Sequence, residues 1–328
     1  MKETVYIFKT SPYTLESDVE KVLNISDFQK LDPKKKTFIK INANYDRDWP
    51  GCNTSGWFLD ALLRSLRRKG FKNLAVIEGD LKLQPASRTI KAIGIDRILE
   101  KYRVPFLNTE ALERGSNELP VVLKKVQFIS TPVLHTHTHA NAIISCASKN
   151  LFGLLPIYRE KYHTKLPQKI LELGTRVRVF TIVDGTVGLD GGSMRLGMWK
   201  RTNLILAGWN PVAVDIVAVQ IMGFSIADIP YLALAKKKDL IPALAIKGNF
   251  TQSNIPSYNF IWKKSRLAVL DLRLRENKLT GKFFEYDSFF DRLANRSRRL
   301  YISLVYRMKK RKVLEGSWKE YQKTDIEH

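Results

Sequence analysis

Thr37-Phe38-Ile39-Lys40-Ile41-Asn42 and, after one intervening helix, Leu74-Ala75-Val76-Ile77 decide the fold of this chain. Each is a short apolar run rich in β-branched and aromatic residues, the signature of a buried strand. Between them, Thr54 to Lys69 carries Phe58, Leu59, Leu62, Leu63 and Leu66 at three- to four-residue spacing, which is one face of an amphipathic helix. Its exit, Arg67-Arg68-Lys69-Gly70, places cations and then a glycine at the helix C-terminus. Strand, helix and strand in this order form a βαβ unit, which requires a parallel sheet with a right-handed crossover.

Further elements extend the pattern. Thr89 to Tyr102 reads as another helix, and Val104-Pro105-Phe106-Leu107 as a short strand. Gln127 to Ser130 begins a strand that runs into Thr131-Pro132-Val133-Leu134-His135-Thr136-His137-Thr138-His139. Arg178 to Gly185 is the clearest strand, and Thr186 to Gly192 reads as a glycine-rich loop after it. Leu204 to Gly208 is a strand, and Asn210-Pro211 caps and opens a helix that runs to Gly223. The expected class is α/β, a mostly parallel sheet flanked by helices. Residues 1–248 form the expected core, and residues 249–328 a basic, helix-rich C-terminal extension.

The chain has 328 residues, 55 Lys+Arg against 32 Asp+Glu, and a net charge of +23. Ordinary hydrophobic content excludes disorder, collagen and coiled coil as whole-chain readings. The charge implies contact with something anionic. Residues 262–328 hold 18 Lys+Arg and 9 Asp+Glu, a net of +9. There Asp287 to Leu314 reads as a basic helix. Phe290, Leu293, Leu300, Leu304 and Met308 lie on one side of it, and Arg296, Arg298, Arg299, Arg307, Lys309, Lys310, Arg311 and Lys312 supply its charge. No zinc-finger, helix-turn-helix or RNA-recognition pattern accompanies it, which disfavours sequence-specific nucleic-acid binding. No apolar run approaches membrane-spanning length, and the first residues lack the apolar stretch of a secretory signal. A cytoplasmic protein, peripheral at a membrane at most, is the expectation. Two cysteines, Cys52 and Cys146, are too few for a four-cysteine zinc site or an all-cysteine iron–sulfur cluster.

Three of the five histidines, His135, His137 and His139, alternate along an extended segment. On a strand all three would face one side, neighbours about 6–7 Å apart. They are candidate ligands for a transition metal such as zinc or nickel, and His137 and His139 are also candidate acid/base groups. A polar, half-exposed strand is the plainer alternative. Lys149 stands before an apolar run, where burial would lower its pKa and make it a nucleophile or an anchor for an anion. His163, in the basic-aromatic cluster Tyr158 to His163, is a further catalytic candidate. Asn42, Thr54, Asn150, Asp184, Asp190 and Asp215 are candidate ligand-binding residues, since ligands of open parallel sheets bind beyond strand carboxyl ends. Thr54 as a helix cap, Asp-Gly as a turn and Asp215 as a structural acid are the plainer readings.

Ser148-Lys149-Asn150-Leu151-Phe152-Gly153-Leu154, Ile182-Val183-Asp184-Gly185-Thr186-Val187-Gly188 and Leu206-Ala207-Gly208-Trp209-Asn210-Pro211-Val212-Ala213-Val214-Asp215 occur in this order. With them the chain resembles domain-of-unknown-function family 362 over roughly residues 37 to 245. Lys40-Ile41-Asn42 and Thr54 look like that family's N-terminal motif, with Ile41 where proline is usual. The resemblance implies an α/β fold and no established reaction. The cysteine-rich insert of many members is missing, so cluster electron transfer does not carry over. More distantly, His139 and Lys149, nine residues apart and followed by Pro156, are similar to a pattern of nickel-pincer lactate racemases. There a lysine tethers the cofactor and histidines serve as metal ligand and acid/base.

Two functions follow. The first is an enzyme on a small anionic substrate, a carboxylate or phosphate, using His, Lys and Asp groups and a metal if the histidines converge. The second is a non-catalytic protein docking on membrane phosphates or nucleic acid through its basic C-terminal helix. The substrate, the reaction and the oligomeric state are not written in the residues.

Overall fold

The computed structural model describes residues 2–323 apart from 26, 83, 140, 193–195, 264–268, 271, 272, 275, 276, 278 and 285–287. Thr37–Ile41 and Leu74–Glu78 are strands buried at every position, as the apolar runs require, and Gly56–Arg68 is the helix between them. In chain order the strands are β1 Glu3–Lys9, β2 Thr37–Ile41, β3 Leu74–Glu78, β4 Phe106–Asn108, β5 Gln127–Thr131, β6 Val133–Thr136, β7 Ile144–Ser145, β8 Phe180–Asp190, β9 Met198–Gly208 and β10 Leu244–Gly248. The helices that matter below are α1 Leu15–Leu23, α2 Gly56–Arg68, α3 Ala86–Ala92, α4 Ile95–Lys101, α5 Ala147–Asn150, α6 Leu166–Arg176, α7 Pro211–Met222 and α8 Pro230–Lys237.

All ten strands join one sheet, ordered β10-β1-β9-β8-β5-β2-β3-β4, with β6 and β7 attached through β8. Pairing is parallel except at β1–β9, β8–β9 and β6–β7. Alternation along β2 sorts its side chains between two cores. Phe38 packs with Ile77, Phe128 and the residues of α6, α7 and α8. Ile39 and Ile41 pack with Val76, Phe180 and the residues of α1 and α2 on the other face. Helices therefore cover both faces, and the sheet is a buried layer.

Three expectations change. The helix expected over Thr89 to Tyr102 is two helices, α3 and α4, because Gly94 between them takes a left-handed φ of 74°. The loop expected over Thr186 to Gly192 is strand as far as Asp190, in register with β9. Its glycines answer to packing. A Cβ on Gly185 would lie 2.7 Å from the Leu204 carbonyl oxygen, and one on Gly188 2.6 Å from the Phe260 ring. Asp184 and Asp190 thus lie inside β8 and do not flank a loop beyond it.

The third change concerns the tail. Its helix spans Phe289–Leu314, and Phe290, Leu293, Leu300, Leu304 and Met308 are exposed, so this stripe is not what holds it to the core. Contact runs along the opposite side. Tyr306 lies against Trp49 and Tyr45, and Val313 is buried with Trp49 and Leu189. Beyond the helix, Trp318 and Tyr321 are buried beside Trp57 in the same core as α2. Asp287 and the side chains of Arg311 and Lys312 lie outside the described residues. Removing a buried tryptophan side chain costs about 3–5 kcal/mol. Trp318→Ala is expected to lower unfolding free energy by about that much in urea denaturation, whereas a tail merely tethered to the core would leave it unchanged.

Candidate active site

At the carboxyl ends of β2, β3 and β5 the chain encloses a cavity of about 630 Å³. Its floor is Lys40 and Asn42 after β2, Glu78 and Gly79 after β3, and Lys149 and Asn150 from α5. Placement beyond the strand ends follows the general rule for open parallel sheets. Lys40 is 1% exposed and its Nζ lies 2.7 Å from Glu78 Oε1. Nζ also donates to the Ile41 carbonyl at 2.7 Å. Glu78 accepts backbone N–H bonds from Ala43 at 3.0 Å and Gly79 at 2.8 Å. Burial pushes the Lys40 pKa down, and the Glu78 charge opposes that shift.

Above this pair sits the segment of the Ser148 to Leu154 motif. A Cβ on Gly153 would lie 2.9 Å from Lys40 Nζ and 3.0 Å from Glu78 Oε1, so only glycine lets the backbone close over the pair. Asn150 Nδ2 donates to Ser130 Oγ at 2.9 Å, which fixes α5 to the end of β5. Lys149 has no ion-pair partner among the described residues. Burial lowers its pKa to about 8, and the charges of Arg159 and Lys40 add to that. About one Lys149 in ten is then neutral at pH 7. Arg159 is held by carbonyl oxygens of Leu155 at 3.0 Å and Asp80 at 2.8 Å.

The imidazoles form one wall. His137, His139 and His163 line the cavity, and the rings of His139 and His163 are 5.0 Å apart. His137 Nδ1 accepts from the His139 backbone N–H at 3.0 Å. Burial holds the His137 pKa well below its usual value, and Lys149 pushes it the same way, so the ring is neutral near pH 7. His135 is not in this wall. It is buried, its Nδ1 is 3.1 Å from the Thr136 carbonyl, and its pKa falls to about 4 by burial. The strand expected through His139 ends at Thr136, so strand alternation does not carry to the third histidine. Among the described residues no group of three His, Cys, Asp or Glu side chains could hold a metal ion. The triad of His135, His137 and His139 is therefore not assembled as a metal site, and a zinc centre of three protein ligands does not fit.

Of the expected ligand residues, Asn42 and Asn150 reach the cavity with Lys149 and the three wall histidines. Thr54, Asp184, Asp190 and Asp215 do not line it. Thr54 Oγ1 donates to the Thr131 carbonyl at 2.6 Å and accepts from the Asn42 N–H at 2.8 Å, joining the ends of β2 and β5. Asp184 accepts from Ser55 N at 2.9 Å and from Thr186 Oγ1 at 2.6 Å, pinning the start of α2 to β8. Asp190 accepts from Ile261 N at 2.6 Å and pairs with Lys200 at 3.0 Å. Asp215, the one charged residue of α7, accepts the N–H groups of Ala147 at 2.8 Å and Ser148 at 3.0 Å. Burial raises its pKa to about 6, against those hydrogen bonds. It positions the turn that carries Lys149.

Residue-by-residue reading missed Lys40, Glu78 and Arg159 as site members. The signal for the first two was their position at the carboxyl ends of adjacent strands. It also missed the cavity's outer wall, where Asn295, Arg298, Arg299 and Ile302 of the C-terminal helix close over the site. Lys82, on the core side, forms an ion pair with Asp291 of that helix.

Residues 37–220 match the family described as Domain of unknown function (DUF362). No curated protein matches the chain, so nothing supports the likeness to nickel-pincer lactate racemases.

Glu78→Ala would leave Lys40 as an unpaired buried cation and is expected to cost about 3–5 kcal/mol. Lys40→Met is expected to cost less, because Glu78 keeps its two backbone donors. Denaturant unfolding of both variants checks the order. Equal losses would mean that the backbone donors contribute nothing.

Proposed function

The chain belongs to the DUF362 family, and from its cavity we propose that it is an enzyme acting on a small anionic substrate, a carboxylate or a phosphate. The observation that carries the reading is the Lys149 ammonium, with no ion-pair partner among the described residues, in a mostly apolar cavity that Arg159 and Lys40 also line. Among the described residues, six cations, Lys40, Lys82, Lys149, Arg159, Arg298 and Arg299, line the cavity against two acids, Glu78 and Glu160, and Glu78 already neutralises Lys40. A bound anion would relieve the excess.

Roles follow from position. Lys149 holds the anionic group as a point charge. Asn42 and Asn150 supply amide hydrogen bonds to its oxygens. His137, neutral and within the same wall, takes or returns a proton, with His139 and His163 as the adjacent pair. Asp215 and Thr54 act at one remove by positioning α5 and Asn42. The chemistry rests on these side chains, with no step routed through a metal. The basic surface and absence of a membrane-spanning helix among the described residues are compatible with a cytoplasmic place of action.

Inorganic phosphate and small dicarboxylates are expected to raise the unfolding temperature. A ligand at a hundredfold excess over its Kd adds about 2.7 kcal/mol. Lys149→Met should weaken that binding about 10- to 100-fold, the worth of one charged hydrogen bond. Sulfate keeps its charge between pH 7 and pH 9, so it isolates the lysine. Because only the protonated ammonium attracts an anion, sulfate affinity should fall as pH rises through about 8. Absence of stabilisation by every anion tried, or a Lys149→Met variant that binds as well as wild type, would refute the proposal.

A further inference from the structure

The C-terminal helix Phe289–Leu314 has two apolar stripes on opposite sides. Ile302, Tyr306 and Val313, at steps of four and seven, form the covered one, with the polar Asn295 buried in line with them. Phe289, Leu293, Leu300 and Leu304, at steps of four, seven and four, form the other. Leu293 is 51% exposed, Leu300 68% and Leu304 58%, with Met308 and Phe290 beside them. Phe290 meets Phe289 and Phe283 edge to face at one end of the stripe. A helix of this length runs about 39 Å. The exposed stripe runs from Phe289 to Met308, about 30 Å of it, and an exposed apolar strip on that scale marks an interaction site.

Charge says what covers it. The only acid in the helix, Asp291, is buried against Lys82. Arg296, Arg307, Lys309 and Lys310 are all exposed along the helix. Arg296 and Arg307 lie on the same side as the leucines by helical spacing, and neither has an acid partner among the described residues. The outer face is thus leucine, phenylalanine and arginine, with no carboxylate. A second copy of this chain, also at +23, would set cation against cation. Nucleic acid would use the arginines and leave the leucines in water. A bilayer surface with anionic phospholipid meets both: acyl-chain boundary for the side chains, lipid phosphates for the guanidinium groups. No helix among the described residues is long and apolar enough to cross the bilayer, so the contact lies in the interface plane.

We infer that this outer helix face docks the protein on anionic phospholipid membranes. Docking there leaves the inner face over the cavity, so the surface and the site are opposite sides of one helix. The inference does not depend on the chemistry in the cavity.

Sedimentation of the full chain with vesicles tests it, comparing phosphatidylcholine alone with phosphatidylcholine containing phosphatidylserine. Partition onto the anionic vesicles should be at least about tenfold stronger. Arg296→Gln/Arg307→Gln should weaken it about 25-fold, about fivefold for each cation removed from the surface. Leu293→Glu/Leu300→Glu/Leu304→Glu should abolish it while thermal unfolding stays within a few degrees of wild type. Equal binding to both vesicle types, or no binding, overturns the inference. So does binding that survives the leucine substitutions. A dimer that those substitutions dissolve, without vesicle binding by the wild type, would assign the face to a second copy instead.

Discussion

A lysine ammonium cannot stay at the end of a buried central strand without a counter-charge, and Glu78 on the adjacent strand supplies it to Lys40 at 2.7 Å. Much of the surrounding architecture serves that requirement. Parallel pairing of β2 with β3 sets Lys40 opposite Ile77, so the next residue of β3 is the acid at the strand end. Backbone N–H groups of Ala43 and Gly79 hold the carboxylate in place. Gly153 has no side chain because the pair occupies the space. Glu78 is then committed, and Lys149 is left facing the cavity as a cation with no acid of its own.

A second acid, buried elsewhere, sets where that cation points. Asp215 stands in the middle of an otherwise apolar helix and holds two adjacent backbone N–H groups at the start of α5. Removing it would leave both donors unsatisfied in a buried turn, at a cost of about 1–3 kcal/mol each. The turn it holds is the one that aims Lys149. Of the acids in the family-like motifs, Asp184 and Asp215 therefore brace the elements that surround the site and stay out of contact with the cavity. The C-terminal helix completes the enclosure from outside, held by the Lys82–Asp291 pair and the aromatic contacts of Tyr306.

The fold was largely legible from sequence because its evidence is local. Strand runs at 37–42 and 74–77, the amphipathic repeat from Phe58 to Leu66 and the Asn210-Pro211 cap each carry their own signal. What failed was also local in cause. Gly94 splits a helix through a left-handed conformation that periodicity does not register. Glycines 185 and 188 look like a loop, yet they are small because a strand and a phenylalanine crowd them. At the site, the histidines, Lys149, Asn42 and Asn150 were readable, as their side-chain chemistry is rare and clustered. Lys40, Glu78 and Arg159 were not, because pairing across strands is a matter of register. Nor does alternation tell which histidines share a wall once the strand ends at Thr136. The leucine stripe of the C-terminal helix was visible, but its direction was not. A helix with two apolar stripes reads the same whichever one is buried.

Lys149 is a half-buried ammonium with no ion-pair partner among the described residues, and an anion in the cavity would complete it. Titration of its side chain by carbon-13 NMR, with the signal assigned through Lys149→Met, measures that directly. The expected result is a pKa near 8 in the empty protein, raised when phosphate is added, because a nearby negative charge favours the protonated form. A pKa at the ordinary lysine value, unchanged by phosphate, would contradict it.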